Sequence, residues 1–129
     1  MFIDRLWHAD IVKLDADGNV LWQSSWGGSS YDSFNAVAID SDGYVVVGYI
    51  ASSDILGLAS KGGEASIVKY DKNGNMMWQN KWADEYVKHN IFRSVIATGS
   101  NYVAIGEAGS YSAAIISFNL NGEVDYTDL

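Results

Sequence analysis

Asp15, Asp17 and Asn19 stand at alternate positions of one short segment, and Asp71, Asn73 and Asn75 repeat the pattern. Side-chain oxygens spaced in this way open calcium loops, where they converge on one hard cation. The loop is not continued: the twelfth position, which needs a bidentate Glu, is Trp26 in the first copy and Trp82 in the second. A turn capped by its own carboxylate is therefore the expected role, with calcium at Asp15, Asp17 and Asn19 as the weaker alternative. His8 and His89 are the only histidines, and neither has a serine or carboxylate at a spacing that suits a hydrolase triad. Gly-x-Ser-x-Gly, phosphate-loop and His-Glu-x-x-His motifs do not occur. The sequence thus predicts a protein that is not an enzyme and takes no cofactor. Glu64, Asp84 and Glu85 read as solvated loop acids, and Gly27-Gly28 and Gly62-Gly63 as linker glycines.

Composition narrows the classes further. A chain of 129 residues, 48% hydrophobic and 19% charged, is one domain's worth of foldable sequence. Its net charge of -8 repels phosphate backbones and anionic lipid, so neither nucleic acid nor a membrane surface is an expected partner. The absence of cysteine removes disulfides and thiolate chemistry together. No apolar run approaches the roughly 20 residues of a membrane span. Met1 to Trp7 carry one Arg and no apolar signal core, so the expectation for the chain as it stands is cytoplasmic.

The chain repeats itself. Asp10 to Gln23 recurs without a gap as Ser66 to Gln79, a spacing of 56, and a weaker third copy runs from Ala114 to Tyr126. Between these copies, Phe34 to Ile39 and Tyr44 to Gly48 match Phe92 to Ala97 and Tyr102 to Gly106, a spacing of 58. Each unit reads as a β-hairpin, because runs of Val, Ile, Tyr and Trp flank Asp/Asn/Gly turns. Five such turns predict about ten strands. In most of the turns glycine supplies the positive φ of a bulged hairpin, and the lack of proline leaves the ladders unbroken.

The two hairpin types differ in pattern. Ala36 to Ile39, Val45 to Val47, Val103 to Ile105 and Ala113 to Ile116 are continuous apolar runs, which predict strands covered on both faces. Ile11-Val12-Lys13-Leu14 and Ile67-Val68-Lys69-Tyr70 carry a charge and are placed further out. Four strands per period of 48 to 58 residues is the arithmetic of a propeller blade.

The segments Leu14-Asp-Ala-Asp-Gly-Asn-Val-Leu-Trp22 and Tyr70-Asp-Lys-Asn-Gly-Asn-Met-Met-Trp78, each part of a longer copy, resemble the repeats of bacterial β-propeller proteins of the SBBP type. More distantly they resemble the tryptophan-docking repeats of quinoprotein-like propellers. The resemblance spans about residues 10 to 126 and implies blade architecture, often in an extracellular setting. Quinoprotein repeats are longer between their Asp and their Gly, and no cofactor set maps onto this chain.

The expected architecture is therefore all-β: four-stranded antiparallel propeller-type blades in a single domain over 1–129, with repeat units at about 10–50, 66–107 and 114–126. That makes about two and a half blades, whereas a closed ring takes about four to eight. Self-association, as a homodimer or higher, is the natural remedy. Trp22, Trp78, Trp26 and Trp82 occupy equivalent positions and are expected to pack between blades. Trp7, outside the repeat, is a candidate assembly contact. Antiparallel order puts all tight turns at one end and the variable connections at the other. Tyr31, Asp54, Lys61, Tyr86 and His89 lie in those connections and are the binding candidates. The leading functional expectation is a non-catalytic binding or scaffold module with a protein or glycan ligand. A lectin-like, carbohydrate-binding propeller is the second reading, and a fragment of a larger secreted propeller protein the third.

Overall fold

The computed structural model describes residues 8–110 and 112–128, and Trp7 lies outside them. The described chain is all-β, with ten strands in antiparallel sheets of two, four and four. β1 (Ala9–Leu14) and β2 (Val20–Trp26) form the first sheet. β3 (Asp32–Asp40), β4 (Gly43–Ile50), β5 (Glu64–Asp71) and β6 (Met76–Trp82) form the second in that order. β7 (Asn90–Ala97), β8 (Asn101–Ala108), β9 (Ser112–Asn119) and β10 (Val124–Asp128) form the third.

The turns explain the hairpins. Asp71 Oδ1 accepts the amides of Asn73 and Asn75 at 2.8 and 3.0 Å, and its carbonyl accepts the Gly74 amide. Asp15 does the same for Asp17 and Asn19, and Asn119 for Asn121 and Glu123. Such side-chain closure substitutes for ladder bonds that a tight turn cannot make. A register shift follows each of these turns, between Lys13 and Leu14, Lys69 and Tyr70, and Val124 and Tyr126, so the hairpins are bulged.

The sheets stack face to face, with the four-stranded β3–β6 sheet in the middle. Its Val46, Val68 and Tyr70 pack with Ala9 and Trp26 of the first sheet. Its Val45, Val47 and Ile67 pack with Phe92, Ala104, Ile116 and Phe118 of the third. Aromatic triads recur at both interfaces. Trp26 stacks on Phe34 at 5.5 Å and Phe34 meets Tyr70 edge-on at 6.4 Å; Trp82, Phe92 and Phe118 repeat this at 6.1 and 5.9 Å. Trp22 and Trp78 reach across to the next sheet, where their indole N–H groups donate to the carbonyls of Lys72 and Leu120. Each ring lies on a turn glycine, Gly74 or Gly122, whose positive φ and lack of a Cβ leave room for it. The four tryptophans thus join adjacent sheets, as their repeat positions predict.

Two expectations are corrected. Coverage on both faces holds for β4 and β5 of the middle sheet but not for the other apolar runs. Val37 and Ile39 of β3 are 54% and 72% exposed, and Ile105 and Ile115 of the third sheet 44% and 40%. A run is covered twice only where a sheet lies against both faces of its strand: among the described residues the third sheet has a neighbour on one side alone, and Val37 and Ile39, though in the middle sheet, lie beyond the cover of the two-stranded first sheet. Lys69, whose charge places its run further out, is nonetheless 2% exposed in β5, a strand with a hydrogen-bonded neighbour on each side. Ser66, facing the first sheet, has a buried hydroxyl with no hydrogen-bond partner, and Ala114 takes its place in the third copy. Ser66→Ala is expected to raise stability by about 1 kcal/mol, measured by denaturant unfolding, because a desolvated hydroxyl is removed without opening a large void; a loss of stability would show that the hydroxyl is bonded in solution.

Candidate functional site

The connections between hairpins gather at one end of the stack, and two repeated side chains hold them there. Asp32, buried at the start of β3, accepts from the amides of Gly28, Ala51 and Ser52 and from the Ser52 hydroxyl at 2.6 to 3.1 Å. Asn90 occupies the same place in β7. Its amide donates to the carbonyls of Gly63 and Val87, and its oxygen accepts from the Asp84 amide. A buried carboxylate or amide with several backbone partners fixes otherwise irregular chain. Sequence reasoning missed this pair, although both stand two residues before the matched Phe34 and Phe92.

All five candidate residues belong to this end, but they do not form one pocket. Tyr31 and Asp54 lie on the connections that Asp32 organises. Asp54 Oδ1 accepts the Ser29 amide at 2.8 Å, and that hydrogen bond holds its carboxyl below the usual carboxylate range. Its role is to tie two loops together. The Tyr31 ring is half-exposed, and its carbonyl accepts the Ala51 amide. Lys61 lines an open cleft of about 750 Å³ on the side that Asn90 organises, together with Tyr49, Glu64, Lys81, Asp84 and Lys88. His89 stands at the same end with its ring stacked on Tyr49, centroids 4.8 Å apart. Tyr86 is 87% exposed beside the cleft, its amide bonded to Asp84.

Glu64 departs from its expected role as a solvated acid. It is buried, accepting from the Lys61 amide at 2.6 Å and the Lys81 ammonium at 3.1 Å. The cleft therefore presents exposed Lys61, Lys88 and Glu85, the Tyr49 ring with His89 stacked on it, and Glu64 and Asp84 already bonded to neighbouring groups. Such a surface suits a polar ligand held by hydrogen bonds and ring stacking.

At the turn end the proposed cation ligands are otherwise occupied, since Asp15 spends both carboxylate oxygens on the amides of Asp17 and Asn19 and the Asn19 side chain. The strongest electrostatic feature there is one that sequence reasoning missed. The Lys69 ammonium lies 2.6 Å from Asp40, 2.7 Å from Asp42 and 2.5 Å from the Tyr102 hydroxyl, which also donates to Asp40. Desolvation opposes the Lys69 charge, yet the hydrogen bonds to Asp40, Asp42 and Tyr102 outweigh it and hold the ammonium well above its ordinary 10.5. Burial likewise opposes the Asp40 charge, and the bonds from Lys69 and Tyr102 leave its carboxyl well below 3.8. These contacts join two sheets, so their primary effect is on assembly of the stack.

Because Asp40 titrates lower in the fold than unfolded, its contribution is present above about pH 4 and is lost as pH falls toward its folded value. Lys69, raised in the fold, contributes below about pH 10 and loses its effect only as pH rises past that point. The stability difference between the parent and Asp40→Asn is thus expected to be flat between about pH 5 and pH 9 and to shrink below about pH 4. Lys69→Met, which strands Asp40, should cost about 3 kcal/mol at pH 7. Denaturant midpoints across pH measure both, and a difference that grows in acid would contradict the ion pair.

No protein-family model and no curated protein matches the chain.

Proposed function

We propose that this chain is a non-catalytic binding or scaffold module built of propeller-type blades, which assembles with further copies of itself and contacts ligand through its long-loop end. The observation that carries the reading is the far face of the third sheet. Val103, Ile105 and Ile115 there are the counterparts of Val45, Val47 and Ile67, which a neighbouring sheet seals completely in the middle of the stack. An apolar face of this kind, with Ile96 beside it, is an interface awaiting another sheet. The first sheet offers Val12, Leu14 and Leu21, each 45% to 58% exposed, so the end of one copy suits the beginning of the next. Two copies would supply about five blades, within the range for a closed ring.

Light scattering is expected to give an integral multiple of the 14.1 kDa chain, and Ile105→Lys with Ile115→Lys to give the single-chain mass with the circular dichroism of the parent. A parent that runs as a monomer at high concentration would end the assembly reading.

A carbohydrate ligand is the second reading, favoured by the stacked Tyr49 and His89 and the exposed Tyr86 next to a lysine-bearing cleft. Sugar rings stack on such aromatic faces while their hydroxyls take polar partners. Glycan-array binding should fall about tenfold or more in Tyr86→Ala or His89→Ala. An empty array, or binding insensitive to both changes, removes this reading and leaves a protein ligand.

A further inference from the structure

One interface of this molecule is built twice, once in full and once by half. Between the second and third sheets, the β3–β4 hairpin covers β7, so that Val95 is 7% exposed and packs in one cluster with Val45 and Val47. The turn of that hairpin delivers Asp40 and Asp42 to Lys69, with Tyr102 of the next sheet alongside. Between the first and second sheets, every receiving counterpart is present. Lys13 stands where Lys69 stands and donates to the hydroxyl of Tyr44, the counterpart of Tyr102. Val37 stands where Val95 stands.

The covering hairpin is what differs. Among the described residues β1 has one hydrogen-bonded neighbour, β2, whereas its counterpart β5 has two. Val37 is accordingly exposed, and an apolar groove of about 160 Å³ runs between it, Ile39 and Ile11, with Lys13 and Tyr44 in its lining. Lys13 forms no ion pair among the described residues.

We propose that this groove is the acceptor site for a β-hairpin of a separate polypeptide, which adds to the edge of β1 that is unpaired among the described residues and places a turn carboxylate against Lys13. The proposal rests on the binding-module reading and names its partner chemistry. An unpaired strand edge offers a row of backbone donors and acceptors, and side-chain pockets beside it select the strand that pairs. The register follows from β4 on β5, where Val45 lies opposite Lys69, Val47 opposite Ile67 and the turn glycine opposite Asp71. The partner strand thus carries branched apolar residues opposite Lys13 and Ile11, and an acidic turn that ends opposite Asp15. A second copy of this chain fits poorly as donor. Its β7–β8 turn has Thr98 and Ser100 where Asp40 and Asp42 stand in β3–β4, and its β3–β4 hairpin is already paired with β5.

A synthetic peptide with the sequence of residues 32–50 serves as the probe, added to the full chain. Saturable binding by fluorescence anisotropy is expected, with slowed amide exchange in β1. The same peptide with Asp40→Asn and Asp42→Asn should bind about tenfold more weakly. On Lys13→Met protein the two peptides should bind alike, since the charge they answer is gone.

A second arm meets the risk that the peptide does not fold alone. A copy of residues 32–63 joined ahead of His8, in place of residues 1–7, should raise the thermal midpoint, and should raise it less with asparagines in the turn. No binding together with an unchanged midpoint overturns the proposal. So does slow β1 exchange that depends on protein concentration alone, which assigns the edge to a second copy, or on the presence of residues 1–7, which assigns it to the chain's own start. Self-association is read separately from the mass in solution: a monomer that binds the peptide refutes the assembly reading and upholds this one.

Discussion

An ammonium ion held between two sheets sets the terms for the rest of the molecule. Lys69 rises from an interior strand into a space closed by the third sheet, where an unpaired charge would be costly and would give up its proton. It stays ionised because Asp40 and Asp42 come from the turn of its own sheet and Tyr102 from the next. The bonds are directional, so they specify how one sheet sits on the other in a way that Val, Ile and Ala packing alone does not. Around that fixed point the apolar area does the bulk of the stabilising.

How a side chain is used depends on whether its sheet has a neighbour, and this is where reading the sequence reaches its end. Val45-Val46-Val47 and Val103-Ala104-Ile105 are near-equivalents in pattern, yet the first run is sealed on both faces and the second on one. No local rule separates them, because the difference lies in what comes next in space. The hairpins themselves were legible, since Asp, Asn and Gly at the turns act within a few residues of their own position. The match between the two tryptophan-bearing segments makes Trp22 the counterpart of Trp78 and Trp26 that of Trp82, and all four lie between sheets.

Charge was the least legible property. Lys69 reads as an outward residue because lysine in a strand commonly is one, and the partner that reverses the reading, Tyr102, lies 33 positions away. Glu64 reads as a solvated acid because glycines and polar residues precede it, yet it opens β5 and is buried. Strand order assigns Tyr31, Asp54, Lys61, Tyr86 and His89 to one end, but it cannot say that Asp32 and Asn90 divide that end between two loop systems. Both anchors were within reach of a repeat comparison extended by two residues.

The tryptophans give each seam of the stack its own optical reporter. Among the described residues, Trp22 and Trp26 meet Tyr44 and Phe34 at the junction of the first and second sheets, and Trp78 and Trp82 meet Tyr102 and Phe92 at the next. Solvent reaching one junction changes the emission of one pair and leaves the other pair's surroundings intact. A chain joined sheet by sheet can come apart in the same order, and its intrinsic fluorescence carries the record of which seam opens first.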